Sequence, residues 1–272
     1  MIVQHNITSM NANRQLGIVG NNLTKATEKL SSGYRVNRAA DDAAGLAISE
    51  KMRAQVRGLQ RASDNAQDGI SLIQTAEGAM EQQHAILQRT RELVVQAGNT
   101  GVLESTAEDD YQKIQDEIDA LKGEYERINT DTEFNKKKLL DGSYTNQWLQ
   151  IGANDGQGIT VNIASHAWTD VDVTGGAAGG KSATLIQTVD TMLQTVSTIR
   201  SALGAIQNRL EYTVKVDDNT AENMQAAESR IRDTDMADEM TRFSKESILQ
   251  QAATSMLAQA NQANQGVLSL LQ

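Results

Sequence analysis

The residues of this chain that could do chemistry are three histidines, a few acid pairs and one glycine-rich run. His5, His84 and His166 stand far apart in the sequence, and no H-E-x-x-H is present. The spacing that places two imidazoles on one helix face around zinc is therefore missing. Asp109-Asp110 and Asp217-Asp218 read most simply as solvated turns or helix starts. The run from Gly175 ends in Gly180-Lys181-Ser182, the close of a phosphate loop. Counted from Gly176 its glycine spacing is one position short, and the upstream strand such a loop needs is not evident. Cysteine is absent, which excludes disulfides, thiolate metal sites and cysteine nucleophiles. Trp148 and Trp168 are expected to cover a β element rather than bind a ligand. No catalytic residue, metal ligand or cofactor is expected, and the chain reads as non-enzymatic.

The elements around these residues point to a different kind of work. Proline is wholly absent from the 272 residues, where average usage would supply about 14. A chain without proline can carry long unbroken helices. Apolar residues recur at 3–4 spacing, the seam of packed helices. One stripe runs Leu16, Val19, Leu23, Ala26, Leu30, and a second Ile114, Ile118, Leu121, Tyr125, Ile128. A third runs Leu185, Val189, Met192, Val196, Ile199, Leu203, Ile206, Leu210, and would extend roughly 38 Å as a helix. The last runs Leu249, Ala253, Met256, Ala260, Ala263, Val267, Leu270.

Gly33, Gly45, Gly58 and Gly69 are expected to interrupt or end the first helical stretch, with Asp41-Asp42 favouring a helix start. Asn99-Thr100-Gly101 reads as a break between helices. Strand character is confined to the middle. Trp148 to Ile151 and Ile159 to Ile163 alternate around Asn154-Asp155-Gly156, which predicts a hairpin. The fold class expected is mainly α: a long antiparallel helical bundle or coiled coil with a small β-hairpin tip and paired termini.

Charge is unevenly distributed. The net charge is −10, which argues against nucleic acid or anionic membrane as a partner. Residues 1–61 carry nine basic and four acidic groups, whereas residues 211–247 carry five basic and ten acidic ones. Opposite signs favour docking of these stretches, although single surface pairs contribute only about 0–1 kcal/mol. Residues 1–13 and 248–272 contain no Asp, Glu, Lys or Arg. The C-terminal tract is too rich in Gln, Asn, Ser and Thr to span a membrane, and membrane insertion is not expected. Such ends are expected to become ordered against other copies, or to pair only with each other within one chain. No segment resembles a cleavable signal, so secretion would need a route that reads something else.

Several stretches resemble one family. The opening Asn6-Ile7-Thr8-Ser9-Met10-Asn11-Ala12 is similar to the start of bacterial flagellins. So is Lys29-Leu30-Ser31-Ser32-Gly33-Tyr34-Arg35-Val36-Asn37, continued by Ala39-Ala40-Asp41-Asp42-Ala43-Ala44-Gly45-Leu46-Ala47-Ile48. At the other end, residues 226–233, Gln259-Ala260-Asn261-Gln262 and Val267-Leu268-Ser269-Leu270-Leu271 resemble the family's C-terminal signature. The likeness spans roughly residues 1–140 and 183–272.

That resemblance implies a terminal coiled-coil domain from 1–40 with 235–272, a helical rod domain from 41–140 with 183–234, and a hairpin tip at 141–182. It is the short form, without a large central insert. One departure is Lys136, where the family usually has glycine after the Asn at 135. The resemblance implies a subunit that self-assembles into the extracellular flagellar filament for motility. It further implies export through the flagellar type III apparatus, with export chaperones, cap and hook-junction proteins as partners.

The assembly seam would comprise Leu16, Val19, Leu23, Leu30, Leu249, Met256, Val267, Leu270 and Leu271. A host innate receptor for flagellin would meet Arg89 and Leu93 on one helix face, with Glu117 on the neighbouring helix. The exposed arginine beside an apolar anchor would form a hot spot. Two alternatives are a hook–filament junction protein, which would not polymerise alone, and a non-polymerising helical adaptor or adhesin.

Overall fold

The computed structural model describes residues 6–99, 108–174 and 181–269, with residues 108, 109, 181 and 263–269 described by their backbone. Five helices and two short hairpins follow in the order α1 (Ile7–Ser32), α2 (Ala43–Ala97), α3 (Glu108–Asp131), β1 (Glu133–Phe134), β2 (Lys137–Lys138), β3 (Gln147–Gln150), β4 (Gly158–Val161), α4 (Lys181–Arg232) and α5 (Met236–Ser269). The mainly helical class with a small hairpin is as the sequence predicts. The chain forms two compact units, one from Met1–Ala54 with Glu222–Gln272 and one from Gln55–Ala221.

The helices begin and end where side chains satisfy their free backbone groups. Asn6 caps α1 by accepting the Ser9 amide at 3.0 Å. Gly33, at φ 75°, ends α1 in the left-handed conformation and donates its N–H to the Lys29 carbonyl. Asp42 caps α2 through the Gly45 amide at 2.8 Å, so the expected helix start at Asp41-Asp42 is present. Asp235 caps α5 by accepting from the amides of Ala237 and Asp238. Of the break at 99–101, α2 ends at Ala97, and Thr100 and Gly101 lie outside the described residues.

Three glycines differ from expectation. Gly45, Gly58 and Gly69 lie inside α2 and do not interrupt it. At all three the missing side chain admits a close neighbour instead, at Gly45 the Asp42 carboxylate, whose Oδ2 lies 2.2 Å from where a Cβ would stand. A Cβ at Gly58 would stand 2.9 Å from the Ala153 Cβ, and one at Gly69 would stand 2.8 Å from the Leu149 Cδ1. Continuous intrahelical hydrogen bonding outweighs the roughly 1 kcal/mol propensity cost of each glycine.

The core of the Gln55–Ala221 unit is built from three helical stripes and one hairpin. On α2 the stripe Ile73, Ala76, Met80, Gln83, Leu87, Thr90, Val94 and Ala97 is buried at 3–4 spacing, with Leu72 and Leu93 buried beside it. On α3, Ile114, Ile118 and Tyr125 of the expected stripe are buried, with Leu121 and Ile128 packed at the margin. On α4, Val189, Met192, Val196, Ile199, Leu203 and Leu210 are buried, again as expected.

β3 pairs antiparallel with β4 in the register Gln147↔Val161 to Gln150↔Gly158. Ile159 and Val161 turn into the core. The expected hairpin is therefore present. Trp148 is 54% exposed and lies over Gly158, where a Cβ would be 2.3 Å from its ring. A second, unexpected hairpin pairs Phe134 with Lys137 across Asn135 and Lys136, both at positive φ (49° and 63°).

In the other unit α1 and α5 lie antiparallel. The Asn6 side chain donates to the Ala260 carbonyl at 2.9 Å, and the Ser9 hydroxyl donates to the Asn261 side chain. At the opposite end the Thr234 amide donates to the Gly33 carbonyl at 3.0 Å. Asn6 to Gly33 on one strand and Ala260 to Thr234 on the other match to within about one residue, so the pair keeps register along its length.

Candidate assembly and recognition surfaces

α1 can cover only one side of α5, because apolar residues occur around much of α5. Leu16, Val19, Leu23 and Leu30 on α1 are half-buried and Ala26 is buried. On α5 the half-buried positions include Phe243, Ala253, Leu257 and Ala260. Leu249 and Met256, grouped with Ala253 and Ala260 in one predicted stripe, are instead exposed at 40% and 66%. Val267, Leu270 and Leu271 lie outside the described residues. Ile7, Met10 and Ile18 on α1 and Ile248 on α5 are exposed as well. A groove of about 710 Å³ runs between the two helices, with Ala12, Val19, Leu249, Ala253 and Met256 among its walls. Covering what remains exposed of each Leu, Ile or Met would contribute about 1–2 kcal/mol, a part of the value for full burial.

Where α1 gives way to α2 and α4 to α5, the two chain breaks are tied together. Tyr34 and Asp233 form an isolated antiparallel bridge, and the Arg35 amide donates to the Arg232 carbonyl at 2.7 Å. The Arg35 guanidinium donates to the Ile231 carbonyl at 2.6 Å. Arg232 stacks its guanidinium 4.6 Å from the Tyr34 ring centroid and pairs with Glu50 at 2.5 Å. The stretches of opposite net charge therefore do meet here, but this ion pair runs against the net signs. Its arginine belongs to the acidic stretch and its glutamate to the basic one.

Of the three residues of the predicted recognition face, Arg89 and Glu117 are exposed and Leu93 is buried. Arg89 donates from Nε to Glu117 at 2.9 Å and from its terminal nitrogen to Glu92 at 3.0 Å. All three are well exposed, and the two carboxylates hold the Arg89 guanidinium pKa above its ordinary value, Glu117 most. Leu93 is 2% exposed and belongs to the core. It cannot serve as an exposed anchor, because four residues overrun a helical turn and carry it from the Arg89 face to the edge of the buried stripe. The exposed apolar side chain nearest in sequence is Val95. Arg91, also on α2, pairs with Asp190 at 2.7 Å.

The histidines are structural where they are described. His84 shares a 3.1 Å hydrogen bond with Gln88, and His5 lies outside the described residues. His166 is buried, with Nε2 2.6 Å from the Gln83 side-chain oxygen. Gln83 also donates to the Tyr125 carbonyl, and the Tyr125 hydroxyl donates to the His166 carbonyl at 3.2 Å. Tyr125 meets Trp168 edge-on at 5.4 Å. Burial lowers the His166 pKa and pushes Tyr125 up to about 12. Gln115 pins the same extended segment, accepting from the Val173 amide and donating to the Val171 carbonyl. The sequence reading missed this network, whose one signal was Gln83 within the apolar spacing of α2.

Counted from Gly175 rather than Gly176, the glycines before Lys181-Ser182 do have the spacing of a phosphate loop, which corrects the sequence reading. The chain before them, residues 164–173, forms no strand, and the loop itself lies outside the described residues. Asp217 is buried and Asp218 accepts from the Ser63 hydroxyl at 2.9 Å, so this pair sits inside a helix, not in a solvated turn. Burial and the neighbouring Asp218 raise the Asp217 pKa. Among the described residues no group of three or more His, Cys, Asp or Glu is placed to hold a metal ion. Among them, too, no helix is long and apolar enough to cross a membrane.

Residues 3–145 match the bacterial flagellin N-terminal helical region, and residues 186–271 match the bacterial flagellin C-terminal helical region. The chain is 53% identical to a flagellin of Halalkalibacterium halodurans and 51% identical to one of Bacillus subtilis, each alignment covering all of both chains. A solved Vibrio parahaemolyticus structure, assigned to the flagellar hook-associated proteins, covers 71% of this chain and all of that one. Its TM-score is 0.59 at 10% identity, a likeness of fold alone. Both ends of the chain, in order and over their whole length, thus carry the sequence of one family, and the chain belongs to the bacterial flagellins.

Proposed function

We propose that this chain is the structural subunit of a flagellar filament and polymerises through its terminal helices. The observation that carries the reading is the apolar surface left open on α1 and α5, including Ile7, Ile248, Leu249 and Met256. Contacts between unlike surfaces of successive copies need not close, so they propagate as a helical polymer. Leu16, Val19, Leu23 and Leu30 then form the intrachain side of the seam, and Leu249 and Met256 the side offered to neighbours. Val267, Leu270 and Leu271 would extend it. The work is mechanical, and no catalytic step or cofactor enters it.

Finer parts of the reading rest on the family resemblance alone. The terminal coiled-coil domain is 1–40 with 235–272, the rod domain is 41–140 with 183–234, and the tip is 141–182. The subunit is exported through the flagellar type III apparatus, its C-terminal tract covered by a chaperone until it leaves the cell. It then meets cap and hook-junction proteins at the filament ends. A host flagellin receptor would engage the Arg89–Glu117 pair, with Leu93 shaping that helix from beneath.

Seeded polymerisation followed by electron microscopy tests the central claim. The full chain should form filaments, and a chain truncated after Ser247, still helical by circular dichroism, should not. A full chain that stays monomeric under all seeding and salt conditions would instead support a hook-junction or adaptor role.

A further inference from the structure

Of the methionines whose exposure is described, Met52 and Met224 are half-buried and the other six divide into a buried and an exposed group. Met80 and Met192 are buried in the Gln55–Ala221 unit. Met10, Met236, Met240 and Met256 are 67%, 48%, 51% and 66% exposed, and all four belong to α1 or α5. The α1/α5 register places Met10 and Met256 at one level of the helix pair, since Asn6 meets Ala260. Met256 lines the groove between these helices, and Met240 lines a second apolar hollow with Ile248 and Leu249. Exposed thioethers thus lie on the surfaces that the filament reading buries between copies.

We propose that these four methionines are oxidation sites through which peroxide prevents the free subunit from assembling. The inference rests on the assembly reading above. In the step, the thioether sulfur attacks one peroxide oxygen and the O–O bond breaks. An S–O bond forms, the sulfur is oxidised by two electrons, and the other oxygen leaves as hydroxide, which takes the proton of the transferred oxygen and becomes water. The product is a polar sulfoxide at a position that association would bury, and a buried acceptor without a donor opposes that association. Once assembled, the same sulfurs are covered, so the free subunit is the vulnerable form.

The experiment treats full-length monomer and preformed filament with hydrogen peroxide, maps sulfoxides by peptide mass spectrometry, and measures seeded polymerisation. In the monomer, Met10, Met236, Met240 and Met256 should oxidise before Met80 and Met192. The critical concentration should rise at least about tenfold, the factor that about 1.4 kcal/mol per subunit produces. Reduction by methionine sulfoxide reductases should restore assembly, and filaments should take up sulfoxide more slowly at these positions. A chain carrying M10L, M236L and M240L, with the seam residue Met256 kept, should show a smaller rise in critical concentration on treatment than the parent chain. Unchanged polymerisation of the sulfoxidised chain, or failure of the reductases to rescue it, overturns the proposal. An untreated chain that never polymerises overturns the filament reading first, and this inference with it.

Discussion

Replacing Lys136 with glycine should stabilise the protein. Lys136 follows Asn135 in the two-residue turn that joins β1 to β2, with φ of 63° and 49° respectively. An L-residue held in that left-handed conformation costs roughly 1–2 kcal/mol, because its Cβ crowds the following carbonyl. Glycine avoids the crowding but gives back about 0.5–1 kcal/mol through its greater freedom in the unfolded chain. The expected net gain is about 0.5–1 kcal/mol, or roughly 1–4 °C in melting temperature for a domain of this size. The side chain lost is exposed, and its neighbours keep their own contacts: Lys138 Nζ donates to the Thr130 carbonyl and Lys137 Nζ to Gln147. Thermal unfolding followed by far-UV circular dichroism measures the shift. Lys136→Ala is the control, since it removes the same side chain and keeps the left-handed residue. Equal melting temperatures for the glycine and alanine variants would refute backbone strain as the cause.

Four further outcomes follow from the packing and the buried polar groups. Gly58→Leu should cost about 1–3 kcal/mol in urea unfolding despite leucine's better helix propensity, because Ala153 occupies the space. Gly78→Ala, with nothing within 4 Å, should gain up to about 1 kcal/mol in the same assay. Leu93→Ala should lose about 2–5 kcal/mol, and Arg89→Ala no more than about 1, which separates core from surface on one helix. The His166 pKa is lowered from 6.5 by burial, so the unfolded chain binds the proton more readily. The stability its neutral form contributes is complete above pH 6.5 and declines as pH falls below that value. Melting temperatures from pH 7.5 to pH 5 should show this decline, and His166→Phe should remove that component of it.

Periodic elements were legible in the sequence, and those built from exceptions were not. The α3 and α4 stripes are nearly all apolar, so their spacing identified both helices and the faces they bury. The α2 stripe from Ile73 to Ala97 follows the same rule but carries Gln83 and Thr90. Their polarity is met by tertiary partners, His166 and Tyr125, for the first and locally by the Ile86 carbonyl for the second. Gly58 and Gly69 looked like breaks because propensity is local, whereas the close approach of Ala153 and Leu149 is tertiary. A hairpin with two residues per strand leaves no detectable period, so β1 and β2 passed unnoticed. On the assembly surface, spacing grouped Leu249 and Met256 with Ala253 and Ala260. Only the placement of α1 divides them into a covered and an open set.

The tie between Gly33–Asp42 and Asp233–Asp235 has a mechanical consequence. Along a helix, every residue adds a backbone hydrogen bond, and stiffness is spread over the whole length. At these two breaks that ladder stops, and a load on the α1/α5 pair leaves through two peptide strands side by side. Tyr34, Arg35, Asp233 and Thr234 lace those strands together, and Arg232 braces them against Tyr34 and Glu50. A tug on either strand is therefore shared with the other. A handful of such bonds, each contributing about 1 kcal/mol, yields before a helix does. Compliance in this unit is thus concentrated at one crossing, and reducing it there would take only a few substitutions.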